Sequence, residues 1–161
     1  MSAEKVVELN LGVTPEAAAS GAIVLQTEHS TVLTFNAMRK TDKPFPGGGF
    51  YREDAGTAIV RITRCTASKF GFPNDEAWRS IPRTKGLGYG IFEVENSLWK
   101  LELAQLNRFA FPDTKAWGGR HFLFLFHDSS FECLAHDLSL EVTKEPYAEI
   151  FKRISARLLS E

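Results

Sequence analysis

Residues 121–136 read HFLFLFHDSSFECLAH and decide the fold. Two alternating segments, residues 121–127 and 130–136, flank an Asp-Ser turn, and this pattern predicts an antiparallel β-hairpin. Pairing position 127 with position 130 places Phe126 opposite Phe131 and makes one face of the hairpin wholly apolar. A shift by one residue would set the phenylalanines against polar side chains, which is costly because one face is meant to be buried.

The same register places His121 opposite His136, with His127 and Glu132 on the same face. Imidazole suits general acid–base catalysis and metal binding, because it titrates near neutral pH and its ring nitrogens are good ligands. We therefore take His121, His136, His127 and Glu132 as candidate catalytic residues, and His121 and His136 as candidate metal ligands. A metal would need a third ligand from outside the hairpin. The simpler alternative is that these histidines lie at strand ends near solvent.

Short apolar or β-branched segments predict further strands on both sides of this hairpin. They cover residues 6–11, 22–28, 31–38, 57–65, 89–95 and 138–142. Thr14, Pro15 and Glu16 have the composition of a helix start and Gly21 that of a helix end, which predicts a short helical turn between them.

Two longer helices are predicted near residues 97–109 and 145–160. Ser97 is a good N-cap for the first helix, and Pro146 is well placed to begin the second. Helical spacing gives each helix an apolar stripe: Trp99, Leu103, Leu106 and Ala110 in the first, and Tyr147, Ile150 or Phe151, Ile154 and Leu158 in the second.

These elements predict an α+β fold, because the helices come late and do not alternate strictly with strands. We expect a mostly antiparallel sheet of six to eight strands, sandwich-like or a half-barrel, in one globular domain over residues 1–161. Clusters of proline and glycine predict long loops near residues 40–56 and 68–90. Such loops often carry function.

Composition excludes several classes of protein. The 161 residues are 43% apolar and carry a net charge of −1, which argues against a disordered chain and against a strongly basic nucleic-acid binder. No apolar run approaches the length of a transmembrane helix. The first residues do not resemble a signal peptide, so we expect a cytoplasmic protein whose two cysteines, Cys65 and Cys133, are buried free thiols.

Charge is concentrated in the middle of the chain. Residues 39–90 hold ten Lys and Arg but five Asp and Glu, and acidic segments flank them. Aromatic residues are interleaved with these cations, a combination that suits a small anionic ligand and, less well, nucleic acid. The predicted ligand-binding residues are Arg61, Arg64, Lys69, Trp78 and Tyr89, which should line one cleft. The alternative is a solvated loop surface with buried rings.

No nucleotide-binding motif is present. The glycines at positions 86, 88 and 90 precede a predicted strand, whereas a dinucleotide fingerprint needs a helix after them. Residues 47–49 are three glycines, but they lack the Lys-Ser/Thr of a phosphate-binding loop.

The sequence therefore predicts a non-catalytic domain that binds a ligand or partner through the basic, aromatic loops. One alternative is an enzyme that uses the His121 and His136 pair as an acid–base group or as metal ligands. Another is a homo-oligomeric protein, a dimer for instance, whose exposed Phe and Trp side chains meet a second copy.

Overall fold

A computed structural model describes residues 3–114 and 118–160. Within these residues the chain forms ten strands and three helices. In chain order they are β1 Lys5–Glu8, β2 Thr14–Pro15, β3 Ile23–Gln26, β4 Thr31–Pro44, β5 Phe50–Thr63, β6 Ala67–Gly71, α1 Asp75–Trp78, β7 Gly90–Glu95, α2 Leu98–Ala110, β8 Arg120–Leu125, β9 Ser130–Ala135, β10 Asp137–Thr143 and α3 Tyr147–Leu158. Among these helices, none combines the length and the apolar character needed to cross a membrane.

The strands form two five-stranded antiparallel sheets. The first sheet has the order β1-β7-β8-β9-β6, and the second has the order β10-β5-β4-β2 with β3 also paired to β4. The predicted α+β class and the antiparallel pairing are confirmed, as are α2 and α3. Ten strands replace the six to eight predicted, because β2 and β6 are short pieces within stretches whose composition indicates turns and loops.

The predicted hairpin forms as β8 and β9, but its register is wrong by two residues. Phe124 pairs with Phe131 and Leu125 pairs with Ser130. The loop is longer than predicted, because the amide of Phe126 donates to the carbonyl of Ser129 and closes a four-residue turn. A shift of two residues keeps every side chain on its predicted face, so the alternating pattern could not distinguish the two registers.

The two sheets pack face to face over a core rich in phenylalanine. The first sheet contributes Phe122, Phe124 and Phe131, each with no exposed surface, and Leu33 and Phe35 of the second sheet lie against them. The rings of Phe35 and Phe124 meet edge-on with centroids 6.5 Å apart. Each side chain of this size contributes about 1.5–3 kcal/mol on burial, so this layer contributes substantially to stability.

Two outer layers cover the sandwich. Ile150 and Ile154 of α3 bury against Val32 and Ile59 on the outer face of the second sheet. This arrangement confirms that Ile150 and Ile154, the central residues of the apolar stripe predicted for α3, face the sheet. On the outer face of the first sheet, Trp78 at the end of α1 belongs to a second, smaller cluster, and the segment after α1 folds back against it. That segment is part of the predicted loop near residues 68–90.

The predicted loop near residues 40–56 is wrong for most of its length. β4 and β5 continue through it as a paired ribbon, with Lys40 opposite Arg52, and only residues 45–49 form the tip. The prolines and glycines that predicted a loop are concentrated at this tip. A bulge at Gly56 adjusts the pairing, and this glycine adopts a φ of 102°, which favours a residue without a side chain.

The predicted helical turn after Thr14 is also wrong. Thr14 and Pro15 pair with Met38 and Ala37 at the edge of the second sheet, and the following residues bend without forming a helix. The Glu16 carboxylate accepts the amides of Ala18 and Ala19, so the acid closes a local turn instead of capping a helix. Pairing with β4 outweighs the local preference.

Replacing Phe124 with alanine should lower the free energy of unfolding by about 3–5 kcal/mol, because it leaves a cavity between the sheets. Urea denaturation followed by circular dichroism measures this change. Phe109→Ala is the matched control, since Phe109 is 88% exposed and its removal should cost less than about 0.5 kcal/mol. Equal losses in the two variants would show that the phenylalanine layer is not the stabilising core.

Candidate functional site

A chain of polar side chains lies on the outer face of the first sheet. His121 of β8 places Nε2 2.7 Å from Oε2 of Glu132 in β9, and Ser97 Oγ lies 2.8 Å from His121 Nδ1. Arg83 donates to the other oxygen of Glu132 at 2.6 Å. His121 and Glu132 belong to one hairpin, whereas Ser97 and Arg83 come from other segments, and His121, Ser97 and Glu132 are buried.

The hydrogen bonds place one proton in this group of side chains. A carboxylate only accepts, so His121 Nε2 carries a proton and donates to Glu132. His121 Nδ1 shares the second hydrogen bond with the Ser97 hydroxyl. Burial alone would raise the pKa of Glu132, but the hydrogen bond from His121 and the positive charge of Arg83 hold it below its usual value.

A hydroxyl, an imidazole and a carboxylate in sequence resemble the arrangement used in nucleophilic catalysis. Here, however, Ser97 is the N-cap of α2 and its oxygen accepts the amide of Lys100 at 3.1 Å. The amide of Leu98, which could otherwise stabilise an oxyanion, donates to the carboxylate of Glu4 at 2.8 Å. These contacts indicate that the hydrogen-bonded side chains of Ser97, His121 and Glu132 anchor the start of α2 on the first sheet.

A cavity of about 570 Å³ lies beside this chain at the ends of β7 and β8. Ser97 and His121 form part of its wall, together with Glu93 and Arg120. Arg120 makes two hydrogen bonds to Glu93, at 2.6 and 3.1 Å, and a third to Asp137 at 3.1 Å. The charges of Glu93 and Arg120 therefore compensate each other within the protein.

The predicted pair of histidines does not form. In the observed register His121 lies opposite Leu134, and His136 follows the end of β9 on the surface. The structure does bring His121 and Glu132 together, as their shared face predicted. The missing partners, Ser97, Arg83 and Glu4, come from other segments, and nothing in the local pattern around them signals the contact.

His127 belongs to a different cluster, beside α1. Its ring stacks on Tyr89 with centroids 6.3 Å apart, and Tyr89 donates to Asp75 at 2.7 Å. The bond from Tyr89 lowers the pKa of Asp75, whereas burial and Asp75 raise that of Tyr89. A hydrogen bond to Asp128 raises the pKa of His127. These contacts hold the loop after α1 against the β8–β9 turn.

The five predicted ligand-binding residues do not share a cleft. Arg61 pairs with Val32 on the outer face of the second sheet and forms an ion pair with Glu141. Trp78 has no exposed surface, and its indole N–H donates to the carbonyl of Phe126 at 3.2 Å. It is a buried ring, which is the alternative the sequence left open.

The other three predicted ligand residues are also dispersed. Arg64 follows β5 with a φ of 52° and is exposed. Tyr89 packs edge-on against Trp78. Lys69 lies on the outer face of the first sheet, where its Nζ sits 4.0 Å from the centroid of the Trp99 ring. Lys69 therefore contacts α2, the element beside the groove described next.

Helix α2 leaves a groove between itself and the sheet. The predicted stripe faces the sheet, but no residue of α2 is buried. A cavity of about 580 Å³ separates Leu103, Ala104 and Ala110 from Ala67 and Leu134 of the sheet. Its wall is mostly apolar and includes two cations of the helix, Lys100 and Arg108.

Residues 3–114 and 118–160 contain no group of three or more His, Cys, Asp or Glu side chains placed to hold a metal ion. Comparison with protein-family models, curated proteins and solved structures found no match.

Glu132→Gln should lower stability at neutral pH by about 2 kcal/mol, because it removes a charged acceptor from His121 and Arg83. The folded pKa of Glu132 is below its ordinary value near 4.5, so its contribution is complete above that pH and is lost as the pH falls. Melting temperatures of both proteins from pH 3 to pH 7 should therefore converge at low pH.

The control is Glu95→Gln, which removes the 3.6 Å surface ion pair between Lys5 and Glu95. This change should alter stability by less than about 1 kcal/mol. A difference between Glu132→Gln and the native protein that stays constant with pH would contradict the assigned ionisation of Glu132.

Proposed function

We propose that this protein binds an elongated apolar molecule with a carboxylate group in the groove between α2 and the first sheet. The observation that carries the proposal is a 13-residue helix without a buried residue above an apolar cavity of about 580 Å³. Pockets for small ligands have volumes of about 300–1,000 Å³ and are mainly apolar with a few polar groups.

The shape of the groove indicates the form of the ligand. Lys100 and Arg108 are eight residues apart on α2, which corresponds to about 12 Å along the helix axis. Leucine and alanine side chains occupy the wall between them. An apolar chain lying along the helix would contact these residues, and its carboxylate would meet a cation at one end.

Electrostatics favour an anion over a cation at this site. Arg108 lies in the last turn of α2, and its guanidinium presents several N–H donors to a carboxylate. Lys69 and Lys100 add positive charge near the start of the helix. A small anionic ligand is the partner that the basic middle of the sequence predicts, but its proposed site is in a different place.

Decanoate should bind and raise the melting temperature, because a ligand that binds only the folded protein stabilises it by mass action. Ala104→Trp fills the groove and should abolish this shift. The adjacent substitution Gln105→Trp places the same ring outside the groove wall and should leave it intact. Calorimetric titration gives the affinities. Equal decanoate binding by the two variants would exclude the groove.

Arg108→Gln should weaken decanoate binding by about tenfold and leave decanol binding unchanged, since only the carboxylate gains from a charge-assisted hydrogen bond. The same titration measures both ligands. If the two affinities fall together, Arg108 does not recognise the charge, and the carboxylate part of the proposal is wrong.

A second candidate function is homo-oligomerisation through the opposite side of α2. Leu98, Leu101 and Phe109 lie on that side at helical spacing and are 56%, 44% and 88% exposed. A cluster of large exposed apolar side chains is typical of protein interaction surfaces. The side chains differ from those that line the groove toward the sheet, so both functions are compatible with the same helix.

Under this second proposal, sedimentation velocity should show association that increases with concentration and that Phe109→Arg abolishes. Phe45→Arg is the control, because Phe45 is another exposed phenylalanine, at 48%, but lies at the tip of the β4–β5 ribbon. A protein that remains monomeric throughout, or association lost only in Phe45→Arg, would exclude a dimer through α2.

A further inference from the structure

The two cysteines meet at the point where the chain passes from one sheet to the other. Cys65 lies between β5 of the second sheet and β6 of the first, and Cys133 lies in β9 with no exposed surface. The residues that follow them are joined directly, because the amide of Thr66 donates to the carbonyl of Leu134 at 2.8 Å, and the two thiol side chains interact with each other. Both sulfurs are free thiols, and both side chains belong to the core between the sheets.

The two thiols differ in environment. Cys65 is partly buried, its S–H donates to the carbonyl of Ala67 at 3.4 Å, and its sulfur accepts from Gln26 Nε2 at 4.0 Å. The hydrogen bond with Cys133 is the main reason that the pKa of Cys65 is lowered to about 7, although burial opposes the shift. The same bond and burial raise the pKa of Cys133.

We propose that Cys65 and Cys133 are an oxidant-responsive pair, in which Cys65 is the attacking thiolate and Cys133 resolves the product as an intramolecular disulfide. The expectation of two buried free thiols is confirmed for Cys133, whereas Cys65 is free but only partly buried. The arrangement fits known reactive cysteines, which are accessible, surrounded by donors and close to a second cysteine.

The reaction balances with a small-molecule disulfide of the glutathione class as oxidant. The Cys65 thiolate attacks one sulfur of that disulfide, whose S–S bond breaks and releases one thiolate. Cys133 then attacks the Cys65 sulfur and expels the second thiolate, which takes up the proton that Cys133 gives up. Two protein thiols are oxidised, and the small disulfide is reduced to two thiols.

The product would join the connection after β5 to β9, and so would cross-link the two sheets. A bond that closes the loop from position 65 to position 133 restricts the unfolded chain. We therefore expect the oxidised protein to melt at a higher temperature than the reduced protein, by several degrees.

The test treats the full chain with oxidised glutathione and measures its intact mass without reductant. The native protein should lose two hydrogen atoms and retain no glutathione, and peptide mapping should join Cys65 to Cys133. Cys133→Ala should stop at a stable glutathione adduct on Cys65. Cys65→Ala should react with oxidised glutathione at a rate reduced by about tenfold or more, because its remaining thiol is buried.

Several results would overturn the proposal. One is a native protein that keeps bound glutathione or stays fully reduced, and another is a Cys65→Ala variant that reacts as fast as the native protein. If either variant fails to fold, the peptide map and the melting temperatures of the native protein still decide between a disulfide and free thiols. A disulfide between two copies would likewise contradict the intramolecular bond.

Discussion

The apolar layer between the two sheets is the constraint on which the other features depend. Phe122, Phe124 and Phe131 fill it from the first sheet, so the intervening residues of β8 and β9 must point outward. His121 and Glu132 lie on that outward face, where they meet the start of α2 and Arg83. One hairpin thus provides both the core and the polar anchor for the helix beside the proposed groove.

Alternation of side chains made much of this fold predictable. The period of two identifies β8 and β9 and assigns each residue to a face, but it repeats after two residues and so leaves the exact pairing open. The observed pairing follows from the position of Phe126, which lies in the turn and not in β8. Its amide donates to the carbonyl of Ser129, and no side-chain pattern predicts this backbone hydrogen bond. In residues 40–56, pairing between β4 and β5 outweighs glycine and proline, whose effect is limited to the tip.

The candidate sites were less predictable, because their parts are distant in sequence. Ser97 was recognisable as a helix cap, and Glu132 as a neighbour of His121 on one face. Glu4 reaches the same place from β1's side of the sheet, and no local signal connects it to Leu98. The groove depends on how closely α2 approaches Leu134, a distance set by packing and not by the helical period that predicted the stripe.

The ribbon formed by the far ends of β4 and β5 has strand edges that bear on edge-to-edge pairing between molecules. Beyond Met38, no other strand among the described residues pairs with it, so both of its edges present backbone groups that could recruit a strand from another molecule. Arg39 faces Glu53 and Lys40 faces Arg52 along these edges, and all four are exposed. Charged side chains at unpaired edges oppose edge-to-edge pairing with another molecule, so the same residues that make this ribbon polar also protect its open edges.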